Sequence, residues 1–200
     1  MKIFLTSQAS AVMDKVVKML PKPARELKLA FVPTAGDPYG EDKPWMDADR
    51  AMLVELGFQV EDFDLKNKTE NETRETLSKF DVIFVAGGNT FYLLGQARKS
   101  GFDKVVPELV KKGTVYIGSS AGSYLACPTI EAAGWKHADR NIPGLKDLTA
   151  LNLVSFLVVC HYSDEFKEVV ASGKKSTKYP VMTLTDEQFI FGDGKNYQIY

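Results

Sequence analysis

Short continuous apolar runs alternate along the chain with longer segments whose apolar residues recur at helical spacing. KIFLT (2–6) predicts a strand. Residues 9–20 carry Val12, Val16, Val17, Met19 and Leu20 in a helical pattern that Pro21 ends. KLAFVP (28–33) predicts a second buried strand. Residues 44–56 predict a helix with Met52, Leu53 and Leu56 on one face and Gly57 closing it. FQVEDF (58–63) alternates as a strand does, TRETLSKF (73–80) predicts a short helix, and DVIFVA (81–86) is strongly strand-like. After GGNT come helical FYLLGQARKS, a further helix near 102–112, and the strand TVYIG (114–118). Residues 128–152 read as irregular, broken by Pro128, Gly134, Pro143 and Gly144. VSFLVVC (154–160) predicts a strand and 164–172 a helix, and VMTLT, QFIFG and YQIY a closing set of strands.

Continuous apolar strands alternating with helices predict a three-layer α/β/α fold around a mostly parallel sheet, with extra strands near the C-terminus. No repeat, low-complexity tract or linker divides the 200 residues, so one domain over 1–200 is expected. In open parallel sheets, ligands sit at the carboxyl ends of the strands. That rule points to the residues after VIFVA, TVYIG and FLVVC.

Charge and cysteine usage narrow the classes. With 25 basic and 26 acidic residues, net charge −1, nothing predicts nucleic acid or a lipid surface as partner. Cys127 and Cys160 give neither a disulfide framework nor metal spacing, and free buried thiols fit a reducing compartment. The opening MKIFLTSQAS is too short in its apolar run for a signal peptide, and no 18-residue apolar stretch occurs. A cytoplasmic protein, monomeric or a small homo-oligomer, acting on a small ligand is expected. Neither G-x-x-x-x-G-K-[ST] nor G-x-G-x-x-G is present, so no nucleotide cofactor is expected, and no metal.

Gly118-Ser119-Ser120-Ala121-Gly122 fits G-x-S-x-G between a strand and a helix. In that pattern the serine sits on a sharp turn, its hydroxyl exposed, and glycines flank it because a Cβ there would clash. The helix start behind it favours developing negative charge. Ser120 is the candidate nucleophile, and Ser119 reads as a neighbour that packs or caps. The rival reading is a turn that merely caps a helix. A serine nucleophile needs a base, and only two histidines exist. His161 follows an apolar strand at its carboxyl end, whereas His137 lies in AAGWKHADRN and reads as a surface residue. The orienting acid stays open among Asp186, Glu187, Asp164 and Asp139. Ala121 N–H, following the nucleophile, is one candidate oxyanion donor, and Gly87-Gly88-Asn89-Thr90 can supply the second. Asn89 and Thr90 of that turn are candidate substrate contacts.

The blocks VAGGNTFYLL, IGSSAGSYLACPTI and FLVVCHYSDEF, in that order, resemble the peptidase E family of serine peptidases, the aspartyl dipeptidase group. The similarity runs through nearly the whole chain. It implies a fold akin to class I glutamine amidotransferases, with serine replacing the cysteine nucleophile. It further implies Ser120 as nucleophile, His161 as base, Gly88 and Ala121 N–H as oxyanion donors, Asp186 as acid with Glu187 as the adjacent alternative, and no metal. One departure stands out. The aspartyl dipeptidases carry an arginine-rich stretch after the histidine, and here that region reads KEVVASGKKSTKYP, with lysines and no arginine. Lysine lacks the bidentate fork that suits a carboxylate, which weighs against strict preference for N-terminal aspartate. The expected function is hydrolysis of dipeptides or very short peptides through an acyl-enzyme. The alternatives are a catalytically silent small-molecule-binding protein on the same scaffold, and an amidase or esterase with a non-peptide substrate.

Overall fold

Seven strands form one twisted sheet in the order β3-β2-β4-β5-β1-β8-β9. They are β1 (Lys2–Thr6), β2 (Lys28–Val32), β3 (Gln59–Asp62), β4 (Val82–Val85), β5 (Val115–Ser119), β8 (Phe189–Gly192) and β9 (Tyr197–Ile199). The first five pair in parallel, and β8 and β9 add antiparallel beyond β1. A separate parallel pair joins β6 (Leu157–Val159) to β7 (Val181–Thr183). The computed structural model describes residues 1–136 and 139–200, so the surface expectation for His137 lies outside the described residues.

Both sheet faces are covered, which is why the central strands read as unbroken apolar runs. Phe4, Phe31, Phe84 and Ile117 point to one side and pack with Met13, Val16, Met46 and Leu53. Those partners come from α1 (Met13–Val16) and α2 (Pro44–Glu55). Ile3, Leu5, Val32, Ile83, Val85 and Tyr116 point to the other side. There they meet α3 (Glu70–Leu77), α4 (Thr90–Lys99), α5 (Phe102–Lys112) and α6 (Ala121–Leu125). The last helix, α7 (Lys167–Ser176), links β6 to β7. Among the described residues no helix is long and apolar enough to cross a membrane.

Several elements differ from their sequence reading. The helix expected over 9–20 is broken into a 3-10 turn (Ala9–Ala11), α1 and a second 3-10 turn (Val17–Met19). Val12 at φ −133° interrupts the hydrogen-bond ladder, yet the apolar face still buries Ala9, Val12, Met13 and Val16. Periodicity reported the face and not the bonding. The helix expected from Thr73 starts at Glu70, because Thr69 and Glu72 close a reciprocal capping box. The strand expected over 154–160 shortens to β6 and lies outside the main sheet, its first amide bonded to Pro180 O beside β7.

Candidate active site

Parallel register brings distant residues together. Thr6 pairs with Ser119, so Ser7 and Ser120 leave the sheet side by side. Val85 pairs with Gly118, which sets the Gly87-Gly88 turn against the same point. A Cβ on Gly87 would stand 3.4 Å from Ser120 Cβ. In the small sheet Val159 pairs with Thr183, so the chain beyond each strand carries His161 and Asp186 to a common place. Tyr162 N–H donates to Leu184 O and fixes that pairing past the strand ends.

Ser120 occupies the turn between β5 and α6 with φ +46° and ψ −103°, a left-handed conformation that L residues adopt only under constraint. The constraint is packing. A Cβ on Gly118 would meet the Gly122 backbone, and one on Gly122 would meet Val85 O, so both glycines let α6 start hard against the sheet. Ser120 Oγ lies 2.9 Å from His161 Nε2, and His161 Nδ1 lies 2.6 Å from Asp186 Oδ1. An ionised carboxylate only accepts hydrogen bonds. Nδ1 therefore carries the proton, and Nε2 presents its lone pair to the Ser120 hydroxyl.

The other candidate acids sit elsewhere. The Glu187 side chain is exposed, and among the described residues no hydrogen bond joins it to His161. Asp164 opens an exposed 3-10 turn over Asp164–Phe166. Asp139 accepts from Thr90 N–H at 2.6 Å, and burial raises its pKa above the ordinary carboxylate value. Gly88 has φ +141°, and a Cβ there would collide with Ala35 O, so the turn admits only glycine. None of the hydrogen bonds among the described residues uses Gly88 N–H or Ala121 N–H. Asn89 caps α4, its Oδ1 accepting from Tyr92 N–H and its Nδ2 donating to Arg140 O. Both ends of that amide are engaged, and Asn89 does not line the adjoining cavity, whereas Thr90 does.

That cavity measures about 530 Å³, within the usual span of small-molecule sites, and Ser120, His161 and Gly88 line it. Tyr39, Trp45, Asp49, Lys136 and Asp139 complete much of its wall. Among the described residues no group of three or more His, Cys, Asp or Glu is placed to hold a metal ion. Both cysteines are free and buried.

Three residues of the site escaped the sequence reading. Ser7 is fully buried, and its hydroxyl accepts from His161 N–H at 2.6 Å while donating to Asp186 Oδ1 at 2.8 Å. It thus clamps the backbone of His161, itself at φ +52°, to the carboxylate that faces the imidazole. The signal was available, since Ser7 follows KIFLT at a strand's carboxyl end. Lys136 Nζ donates to Cys160 O at 2.5 Å and His161 O at 2.8 Å, and lies 4.5 Å over the Phe166 ring. Burial lowers its pKa.

Asp49, the third, lies on the buried face of α2 at 5 % exposure. Burial raises its pKa from 3.8 to about 6, against hydrogen bonds from the Ser119 hydroxyl and Ser10 N–H that lower it. An acid whose folded-state pKa exceeds its unfolded value binds protons more tightly when folded. Its penalty is absent below pH 3.8 and complete above about pH 6. The shift corresponds to roughly 3 kcal/mol at neutral pH. Asp49→Asn is therefore expected to raise Tm at pH 7.5, with the gain vanishing near pH 4; thermal denaturation across that range measures it. An unchanged or lower Tm at pH 7.5 would mean the carboxylate carries no such penalty.

An uncharacterized peptidase of Pasteurella multocida (strain Pm70) is 32% identical over 193 residues, spanning 94% of this chain and 92% of that one. Peptidase E of Shigella flexneri is 32% identical over 138 residues, 69% of this chain and 56% of that protein. The crystal structure of a candidate peptidase E protein from Listeria monocytogenes EGD-e superposes with a TM-score of 0.86 at 31% identity, covering 100% of this chain and 97% of that one. The sequence model of peptidase family S51 matches residues 3–200. The chain belongs to peptidase family S51.

Proposed function

We propose that this peptidase is of the serine type and cleaves dipeptides or very short peptides through an acyl-enzyme. The observation that carries the reading is the unbroken hydrogen-bond chain from Ser120 through His161 to Asp186 on the wall of the cavity. In this mechanism Ser120 Oγ attacks the scissile carbonyl carbon while Nε2 of His161 takes its proton. The Asp186 carboxylate holds Nδ1–H and faces the imidazolium that forms. Gly88 and Ala121 N–H receive the oxyanion, each worth on the order of 3 kcal/mol in such sites. The imidazolium then protonates the leaving amine, the C–N bond breaks, and water repeats the cycle on the ester.

A fluorophosphonate probe tests the nucleophile directly. One adduct per chain, mapped to Ser120 by mass spectrometry, is the expected result. A protein that turns over short peptides while remaining unlabelled would carry a different nucleophile, and one that does neither would be a binding protein on this scaffold.

Ser7 acts here as a positioning residue. Ser7→Ala leaves His161 N–H without its acceptor and removes one of the two donors to Asp186 Oδ1, so the imidazole and carboxylate lose the clamp that aligns them. The expected outcome is a fall of about 10- to 100-fold in kcat with KM little changed. A fall confined to KM would place Ser7 in substrate contact instead.

A further inference from the structure

Two carboxylates share the cavity with the nucleophile, and neither is ion-paired with a lysine or arginine among the described residues. Asp49 is 5 % exposed, and its polar neighbours are the Ser119 hydroxyl and Ser10 N–H. Among the described residues no basic group acts on it. Buried carboxylates are ordinarily paired with a cation or a metal, because desolvation otherwise opposes the charge. Asp139, on the cavity wall, is likewise held by Thr90 and not by a cation.

The remaining walls match this charge. Tyr39 and Trp45 stand edge to face with ring centroids 5.4 Å apart, and remain 49% and 40% exposed. Exposed aromatic faces beside carboxylates attract cations. Lys136, the one ammonium on the wall among the described residues, is turned to the Cys160 and His161 carbonyls. No residue of 167–180, the lysine-bearing stretch, lines the cavity. The space therefore offers its fixed anions to an incoming group and keeps its one ammonium on the backbone.

We propose that this cavity is a receptor for a positively charged substrate group, with Asp49 as its anion and Tyr39 and Trp45 as its walls. The substrates are then short peptides with a free, protonated amino terminus and an uncharged or basic first residue. Peptides beginning with an acidic residue are selected against. The inference rests on the serine-peptidase reading for its catalytic consequence, and on the cavity alone for binding. An ammonium gains charge-assisted hydrogen bonds at Asp49. A substrate carboxylate in the same space meets two like charges.

The test uses the full chain and four peptides: Leu-Leu, Lys-Leu, Asp-Leu and N-acetyl-Leu-Leu. Uncharged p-nitrophenyl acetate reports Ser120 chemistry independently. The expected kcat/KM for Leu-Leu exceeds that for its acetylated form on the order of 100-fold. Lys-Leu is expected to match or exceed Leu-Leu, and Asp-Leu to fall below it by at least about tenfold. Asp49→Asn is expected to bring the free-to-acetylated ratio down by about tenfold or more. If that variant fails to fold, the wild-type series decides. Ester turnover together with equal cleavage of free and acetylated peptides, or a preference for Asp-Leu, overturns the inference while leaving the hydrolase intact. If neither ester nor any peptide is cleaved, the hydrolase reading fails. Calorimetric titration then decides the receptor: L-leucinamide binding while N-acetyl-L-leucinamide does not supports it, and equal binding or none overturns it.

Discussion

Alanine at position 120 is expected to lower kcat on a cleavable short peptide by about 10⁶-fold, the loss typical when an activated serine is removed. The argument is local. Only Oγ leaves, and it is the atom 2.9 Å from the imidazole lone pair. The turn itself is held by the glycine contacts at 118 and 122 and by Ser120 N–H on Thr6 O, none of which needs the hydroxyl. Stability should therefore move by less than about 1 kcal/mol, and unfolding cannot account for the lost rate. Steady-state kinetics beside a denaturant titration separate the two. Undiminished turnover in the folded variant would place the nucleophile elsewhere.

Asp186→Asn is expected to cost on the order of 10³- to 10⁴-fold in kcat, and Glu187→Gln less than about twofold. The two acids are sequence neighbours with different tasks. Asp186 Oδ1 holds His161 Nδ1 at 2.6 Å and receives the Ser7 hydroxyl at 2.8 Å. Asparagine removes the negative charge that the imidazolium faces, and its amide can present N–H where an acceptor is needed, favouring the wrong imidazole tautomer. Glu187 points into solvent. A pH–rate profile of kcat for both variants is the measurement. Equal losses at 186 and 187 would show that the loop as a whole matters, and not the one carboxylate.

The approach of Ser120 to His161 was legible because both residues follow strand ends, and strands announce themselves as apolar runs. TVYIG and FLVVC each stop where the polar chemistry starts. The carboxylate that meets His161 was not legible in the same way. Asp139, Asp164, Asp186 and Glu187 all lie in loops, and loop sequence carries no periodicity from which direction can be read. Pairing of Val159 with Thr183 in a separate two-stranded sheet brings Asp186 alongside His161, and the strand readings at 154–160 and VMTLT did not specify that pairing. Asn89, read in GGNT as a candidate substrate contact, has its Oδ1 on Tyr92 N–H as the cap of α4 and its Nδ2 on Arg140 O.

Asp49 was missed although the pattern contained it. Helical spacing from Met46 to Leu53 puts Asp49 on the inward face of α2, where a charged residue costs stability. Reading α2 from Met52, Leu53 and Leu56 alone passed over it. A lone acid on an apolar face is a signal in sequence, but its meaning depends on whether a cation meets it.

By itself the sequence determined the alternating strands and helices, the covered parallel sheet, the glycine-flanked serine turn and the strand-end histidine. Each follows from short-range rules of side-chain spacing, backbone sterics and residue chemistry. Only the tertiary structure decided which carboxylate faces His161, that Ser7 clamps the pair, and that Asp49 lines the cavity with no cation paired to it among the described residues. Those depend on contacts between residues more than a hundred positions apart in the case of Ser7 and Asp186, set by strand register and layer packing that no local pattern encodes.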